Sequence, residues 1–327
     1  MSKERIYVFD AFHPDAIARL QSHPKFEIIL PSNPIHQTHP WYHHAHGVLV
    51  RADTRLTAEE FARTKDTKLL RAVVKQGVGV DNIDLNAART AGVAVYNHPG
   101  INSEAVAEMC LALTLSLTRM VTFLDRKTRR GDRDARNDFV GISLYRKTVG
   151  IIGMGNIGKL TAKKWVGACE ANILAYHPVA PADIWDGDGI VHKRAQSLEE
   201  LLRESDVVTL HLPLTESTRG MIGTKELDMM KGSAVLVNTS RGGIVEEKAL
   251  LQALKEKKIW GAVLDAMEIE PAHPDTHAEW LELDNVIITP HVGATTEDMH
   301  SLSGSTAAQT LLNVLDGTGE FPGRRIV

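Results

Sequence analysis

The sequence predicts an α/β protein built from two doubly wound parallel-sheet domains, and three observations carry that reading. Apolar runs of strand length alternate with helix-period segments from end to end. The runs fall into two series, separated by a long apolar segment at 103–124. A chain of 327 residues also exceeds one ordinary domain, and its length suggests about two. Strands alternating with helices form βαβ units, whose parallel sheets are covered on both faces.

The first series contains IYVFD (6–10), FEIIL (26–30), GVLV (47–50), LLRAVV (69–74) and VAVYN (93–97). Within it, residues 23–46 carry His36, His39, His43, His44 and His46. The prolines and irregular spacing predict a solvated loop and strand approach rather than a metal site. Residues 103–124 read as one long helix, because Val106, Met109, Cys110, Leu113, Leu117, Met120 and Leu124 recur at helical spacing. Leu111 and Leu115 make a second face apolar, so this helix is expected to be buried on several sides, in the core or at a subunit interface. The second series contains TVGIIG (148–153), NILAY (172–176), VVTLHL (207–212), AVLVNT (234–239), AVLDA (262–266) and VIITP (286–290), with a shorter strand-like GIV at 189–191. Ser197 followed by Glu200 reads as a capping box opening the helix SLEELLRES.

Composition narrows the class of function. Hydrophobic residues make up 43% and charged residues 24%, ordinary for a globular protein with sizeable cores. A net charge of -4 argues against nucleic acid as a partner. Cys110 and Cys169 lie far apart in no metal-ligand spacing and are expected to be buried thiols of a reducing compartment. The N-terminal MSKERIYVFD turns directly into a strand-like run, so a secretory signal is not expected. The stretch 105–124 is broken by Thr114, Ser116, Thr118 and Arg119 and is not expected to span a membrane. A cytoplasmic protein with no metal is the expectation.

The chemistry begins at GIIGMGNIG (150–158). Gly153, Gly155 and Gly158 give GxGxxG between a strand and a helical segment, followed in register by another strand. The glycines serve a tight turn, close backbone approach to a pyrophosphate and close helix–strand packing. The helix N-terminus, including the backbone of Asn156 and Ile157, offers free N–H groups to the phosphates. An acidic residue that grips a ribose hydroxyl is expected about twenty residues on, but the strand NILAY ends in His177 and Pro178. His211, Pro213, Thr239 and Asp265 lie at the carboxyl ends of later strands, where open α/β sheets bind ligands. Some of these residues are expected merely to cap the helix that follows.

Three further stretches, NTSRGGIV (238–245), LDAMEIEP (264–271) and ITPHVGA (288–294), join the glycine turn. With KQGVGVDNIDL (75–85) and NHPGINSEAVAE (97–108), they make nearly the whole chain resemble the D-isomer-specific 2-hydroxyacid dehydrogenase family. The resemblance implies an inserted Rossmann dinucleotide-binding domain at 101–292. It also implies a discontinuous, flavodoxin-like substrate domain at 1–100 and 293–327, with a homodimer formed through the inserted domain. By motif, Arg241, Glu270 and His291 match the family's catalytic residues. Arg241 offers a permanently charged fork suited to a substrate carboxylate and keto oxygen. His291 beside the Glu270 anion is expected to hold a proton and donate it to the carbonyl oxygen. Val78 and Gly79 match the backbone site for the substrate carboxylate, Arg51 a position that in some members holds an acid or phosphate group, and Asp265 the partner of the nicotinamide carboxamide.

The implied function is NAD(P)-dependent reduction of a small 2-oxo acid, such as glyoxylate or hydroxypyruvate, to the D-2-hydroxy acid. Phosphoglycerate oxidation is the alternative within the enzyme class, and a dinucleotide-sensing corepressor-like protein the alternative outside it. Glu270 departs from the related formate dehydrogenases, which carry glutamine there, and Val327 ends the chain before the extension of many phosphoglycerate dehydrogenases. His177 stands where many members have aspartate. It lacks an acid's repulsion of a 2′-phosphate and can donate a hydrogen bond, or carry charge if protonated. Dual use of NAD and NADP, or a preference for NADP, is therefore expected. Lys193 and Arg194 are read chiefly as solvated charges, with approach to that phosphate as their sharper role.

Overall fold

The structure is a computed structural model that describes residues 3–132, 139–181 and 183–327. The chain divides into two compact units, Met1–Asn102 with Thr295–Val327, and Ser103–Ala294.

In the first unit, β1 (Glu4–Val8), β2 (Phe26–Ile29), β3 (Ala45–Val50), β4 (Ala72–Lys75) and β5 (Ala94–Asn97) pair in parallel in the order 2-1-3-4-5. This is the flavodoxin-like order. A short β13 (Arg324–Arg325) adds antiparallel to β5. Between the strands lie α1 (Pro14–Gln21), α2 (Pro34–Thr38), α3 (Ala58–Thr64) and α4 (Leu85–Ala91). Both sheet faces are covered: Ile6, Val8, Leu49 and Val74 point to one core, and Tyr7, Val48, Val50 and Val73 to the other. That alternation along each strand is why the runs are apolar throughout rather than every second residue.

The second unit holds β6 (Thr148–Ile152), β7 (Asn172–Tyr176), β8 (His192–Arg194), β9 (Val207–Leu210), β10 (Val235–Asn238), β11 (Gly261–Leu264) and β12 (Val286–Ile288). They form one parallel sheet in the order β8-β7-β6-β9-β10-β11-β12, with the reversal of winding between β6 and β9. This is the Rossmann arrangement, in which ligands bind outside the carboxyl ends of the strands at that reversal. Its helices are α5 (Ser103–Thr118), α6 (Val121–Arg129), α7 (Asn156–Cys169), α8 (Leu198–Glu204), α9 (Thr224–Met229), α10 (Glu247–Lys255) and α11 (Pro274–Leu281). The last helix, α12 (Glu297–Asp316), belongs to the first unit, where Leu311 and Leu315 pack onto β3 at Gly47.

Three expectations need correction. Residues 103–124 are not one helix but α5 and α6, bent by 60° at Arg119 and Met120. Met120 adopts a left-handed φ of 54°, and the Ile142 N–H captures the Thr118 carbonyl at 2.9 Å. The histidine-rich segment is not a solvated loop: it contains α2 and a 3₁₀ turn, and His36 packs against the Tyr7 and Phe9 rings. The capping box at Ser197 is half formed. The Ser197 hydroxyl accepts from the Glu200 N–H, but the Glu200 carboxylate takes the Gln196 N–H instead of the cap residue's own. Among the described residues, no single helix is long and apolar enough to cross a membrane.

Candidate active site

The glycine turn of the second unit behaves as three different devices. Gly153 has φ of +108°, and a Cβ there would stand 2.2 Å from the His211 carbonyl oxygen, so the turn passes directly over the end of β9. A Cβ on Gly158 would lie 2.0 Å from the Gly153 carbonyl oxygen, so α7 can start this close to the strand with glycine alone. Gly155 differs, because a Cβ there would meet nothing within 4 Å. The turn is thus tight against protein at its first and third glycines and open at the second, as a cradle for a phosphate requires. Helix α7 follows at once, and the N–H groups of its first turn, from Asn156, Ile157 and Gly158, lack intrahelical acceptors. They confront an anion with the positive end of a fourteen-residue helix.

Two buried polar atoms at neighbouring strand ends fit a bound dinucleotide. Thr239 Oγ1, just past β10, and His211 Nδ1, just past β9, are shut off from solvent without a hydrogen-bond partner. Such atoms cost free energy unless something supplies the partner. His211 Nε2 contacts Thr209 Oγ1 at 3.0 Å, and burial pushes the His211 imidazole down to about 3, so the ring stays neutral. Pro213 is exposed, and its carbonyl accepts from the Thr218 hydroxyl at 2.7 Å.

His177 closes β7 beside the same turn. Its Nδ1 accepts the Met154 N–H at 3.2 Å, which places the neutral ring's proton on Nε2. Burial, with the nearby Arg194 charge, holds its pKa below the usual histidine value. With Nδ1 occupied as an acceptor, donation to a ligand would come from Nε2. Arg194 is half-buried, and its guanidinium donates to the carbonyls of His177, Ala180 and Pro181, at 3.0, 2.6 and 2.5 Å. Lys193 turns away to Glu200, at 2.7 Å, and to Glu204.

Further along the same sheet edge, three loops bring together Arg241, Glu270 and His291. His291 Nδ1 lies 2.9 Å from Glu270 Oε2 and 3.1 Å from Oε1. Burial alone would raise the Glu270 carboxyl pKa. The His291 hydrogen bond and charge, the Met267 N–H at 2.9 Å and the Arg241 charge outweigh burial and hold it below the usual value. Arg241 leaves β10 in a loop pinned by Asn238, whose side-chain amide donates to the Arg241 carbonyl at 2.8 Å. One guanidinium nitrogen of Arg241 donates to the Ser240 carbonyl at 2.7 Å. Gly242 then lets this loop touch the turn that carries Glu270: a Cβ would stand 2.1 Å from the Met267 backbone. The RGG motif signals this glycine, but its contact lies 25 residues away and is not legible locally.

Asp265 is 1% exposed and makes three hydrogen bonds within the protein. Oδ1 accepts from the Thr289 hydroxyl at 2.7 Å and from the Val292 N–H at 2.9 Å, and Oδ2 from the Gly293 N–H at 2.8 Å. The carboxylate clamps the loop on both sides of His291, which sits in a left-handed conformation with φ of 55°. For a non-glycine residue that conformation costs about 1–2 kcal/mol and persists where neighbours enforce it. Asp265 thus supports His291 in this structure.

The remaining residues read from the sequence lie on the first unit. Arg51 follows β3, where Nη1 donates to the Ala11 carbonyl at 2.7 Å and the Asn82 amide donates to the Arg51 carbonyl at 2.8 Å. Val78 and Gly79 follow β4 in a half-exposed loop, with the Gly77 carbonyl taken by the His98 N–H at 2.9 Å and the Val78 carbonyl by the Asn97 amide at 2.5 Å.

A doubly wound unit with an open glycine turn and a neighbouring Arg–Glu–His set defines a protein of the dinucleotide-binding fold. Residues 111–293 match the family model for the NAD-binding domain of D-isomer-specific 2-hydroxyacid dehydrogenases. Among curated relatives, a D-3-phosphoglycerate dehydrogenase from Methanocaldococcus jannaschii is 37% identical over 96% of this chain and 58% of its own length. A hydroxypyruvate reductase from Thermotoga maritima is 31% identical over 96% of this chain and 99% of its own. The crystal structure of the TT0316 protein from Thermus thermophilus superposes with a TM-score of 0.86 at 32% identity, covering 99% of this chain and 100% of that one. The chain spans about half the length of the curated phosphoglycerate dehydrogenases it matches. The chain belongs to the D-isomer-specific 2-hydroxyacid dehydrogenase family.

Proposed function

We propose that this protein reduces a small 2-oxo acid, of the glyoxylate or hydroxypyruvate kind, to its D-2-hydroxy acid with NADH or NADPH, reversibly. The observation that carries the reading is the His291–Glu270 pair, 2.9 Å apart beside Arg241, at the carboxyl edge of a sheet with an open phosphate cradle. The cradle at Gly155 and the amides of Asn156 and Ile157 would hold the pyrophosphate, with His211 and Thr239 supplying polar contacts beyond it. When bound, the nicotinamide supplies the hydride.

The chain's own residues supply the rest. Arg241 presents a cationic fork to the substrate carboxylate and keto oxygen, fixing orientation and stabilising charge that develops on that oxygen. Glu270 stays anionic and engages His291 Nδ1, which leaves Nε2 to deliver a proton to the same oxygen. In the oxidising direction Nε2 takes that proton from the hydroxyl. Val78 and Gly79 contribute backbone N–H groups, and Arg51 a cation, to the substrate side of the reaction. The homodimer expected from the family forms part of the proposal, with light scattering as its check.

The cofactor preference is proposed to be relaxed. The end of β7 carries a neutral imidazole where a carboxylate would repel a 2′-phosphate, and the Arg194 guanidinium lies along the adjoining carbonyls. A second reading, oxidation of 3-phosphoglycerate, draws on the 37% identity to a phosphoglycerate dehydrogenase. Competition between hydroxypyruvate and its phosphorylated form separates the two. The test of the main reading is initial rates over a panel of 2-oxo acids with each dinucleotide. Accumulation of the D-2-hydroxy acid is expected, and an inert panel would refute it.

A further inference from the structure

The turn that carries Glu270 is held by two carboxylates from two different elements. Glu270 Oε1 accepts the Met267 N–H at 2.9 Å, and Glu247 Oε1, from the first turn of α10, accepts the next amide, Glu268 N–H, at 2.5 Å. Consecutive amides lie side by side in a turn, so the two carboxylates are neighbours across a single peptide unit. His277 of α11 is 4% exposed and lies near enough for its charge to act on Glu247. Burial pushes the Glu247 carboxyl up, the Glu268 amide lowers it, and the Glu268, His277 and Glu270 charges act on it in turn. Three side chains thus meet through one turn: His291, Glu270 and Glu247.

We infer that Glu247 is a positioning residue for the acid–base pair. It fixes the 267–270 turn so that Glu270 meets His291. A helix start is a fixed point, and the first turn of α10 suits an anion. Nothing in the motif marks Glu247 for this role, because its partner amide lies 21 residues downstream. The inference rests on the proposed acid–base role of His291, but its first readout does not.

Two variants test it. E247Q keeps an oxygen for the Glu268 amide, whereas E247A removes it. In the free protein, the hydrogen-bonded His291 Nδ1–H should give a downfield proton signal by NMR. That signal is expected in the wild type and E247Q and is expected to be lost or broadened in E247A. In turnover, E247Q should stay within about threefold of the wild-type kcat, because the Glu268 amide keeps its acceptor. E247A should lower kcat about tenfold or more with dinucleotide affinity unchanged. A retained signal with wild-type kcat in E247A would overturn the positioning role. A fall in kcat in E247Q as large as in E247A would overturn it as well. A wild type inert toward every 2-oxo acid would instead strike the proposed function and leave the proton signal to decide this inference.

Discussion

Replacing Asp265 by alanine tests the support of His291 directly. The carboxylate is 1% exposed and takes three donors, from Thr289, Val292 and Gly293. Hydrogen bonds to a charged acceptor contribute about 1.5–3 kcal/mol each, and an orphaned buried donor costs about 1–3 kcal/mol. The Thr289 hydroxyl can rotate to another acceptor, and Val292 is half-exposed and can find water. The buried Gly293 N–H bears the full cost, while removing a buried charge recovers some desolvation. The balance is a loss of about 3 kcal/mol for D265A, measured by urea unfolding. Asparagine keeps the two donors on one oxygen and sets an N–H₂ against the Gly293 N–H, so D265N should lose about half as much. Because the clamp holds His291 at a left-handed φ of 55°, its removal frees the loop to relax. Turnover should then fall about a hundredfold, the scale of a displacement of roughly 1 Å in a catalytic group. A D265A protein within 1 kcal/mol of wild type and within about threefold in kcat would refute this reasoning.

Three other predictions follow from neighbouring contacts. G242A places a Cβ 2.1 Å from the Met267 backbone, so urea unfolding should show a loss of about 2 kcal/mol or more and kcat should fall with it. His211 is held neutral, with its pKa lowered to about 3, so the unfolded chain binds a proton that the folded one refuses. Stability should therefore fall as pH drops below about 6.5, by on the order of 3 kcal/mol before pH 3, and H211N should flatten that slope in pH-dependent unfolding. H177D restores an acid at the end of β7, and the kcat/KM ratio for NADH over NADPH should rise about tenfold or more; an unchanged ratio would show that the residue does not govern the choice.

The strands were legible because a sheet covered on both faces needs apolar residues at every position, and such runs persist in the sequence without context. The break after α5 was not. Neither glycine nor proline marks residues 119–120, and the helix ends because the 141–142 segment crosses it. There Ile142 caps the Thr118 carbonyl, and a Cβ on Gly141 would stand 2.4 Å from that same oxygen. The glycine turn was legible down to the division of labour among its glycines, because each constraint is local to a strand–turn–helix. Arg241, Glu270 and His291 could be named from their motifs, and the structure places Glu270 and His291 in contact. The groups that hold them were hidden. Asp265 meets its donors 24–28 residues later, Gly242 meets Met267 and Glu247 meets Glu268, all through loop packing that no local periodicity encodes.

The most direct measurement is single-variant kinetics at the proposed proton donor. Wild type and H291A are compared in NADH oxidation driven by glyoxylate and hydroxypyruvate, with dinucleotide binding followed separately by fluorescence. Turnover is expected in the wild type, with a loss of about a hundredfold or more in H291A and dinucleotide binding within a few-fold. Undiminished turnover in H291A would contradict the proposed role.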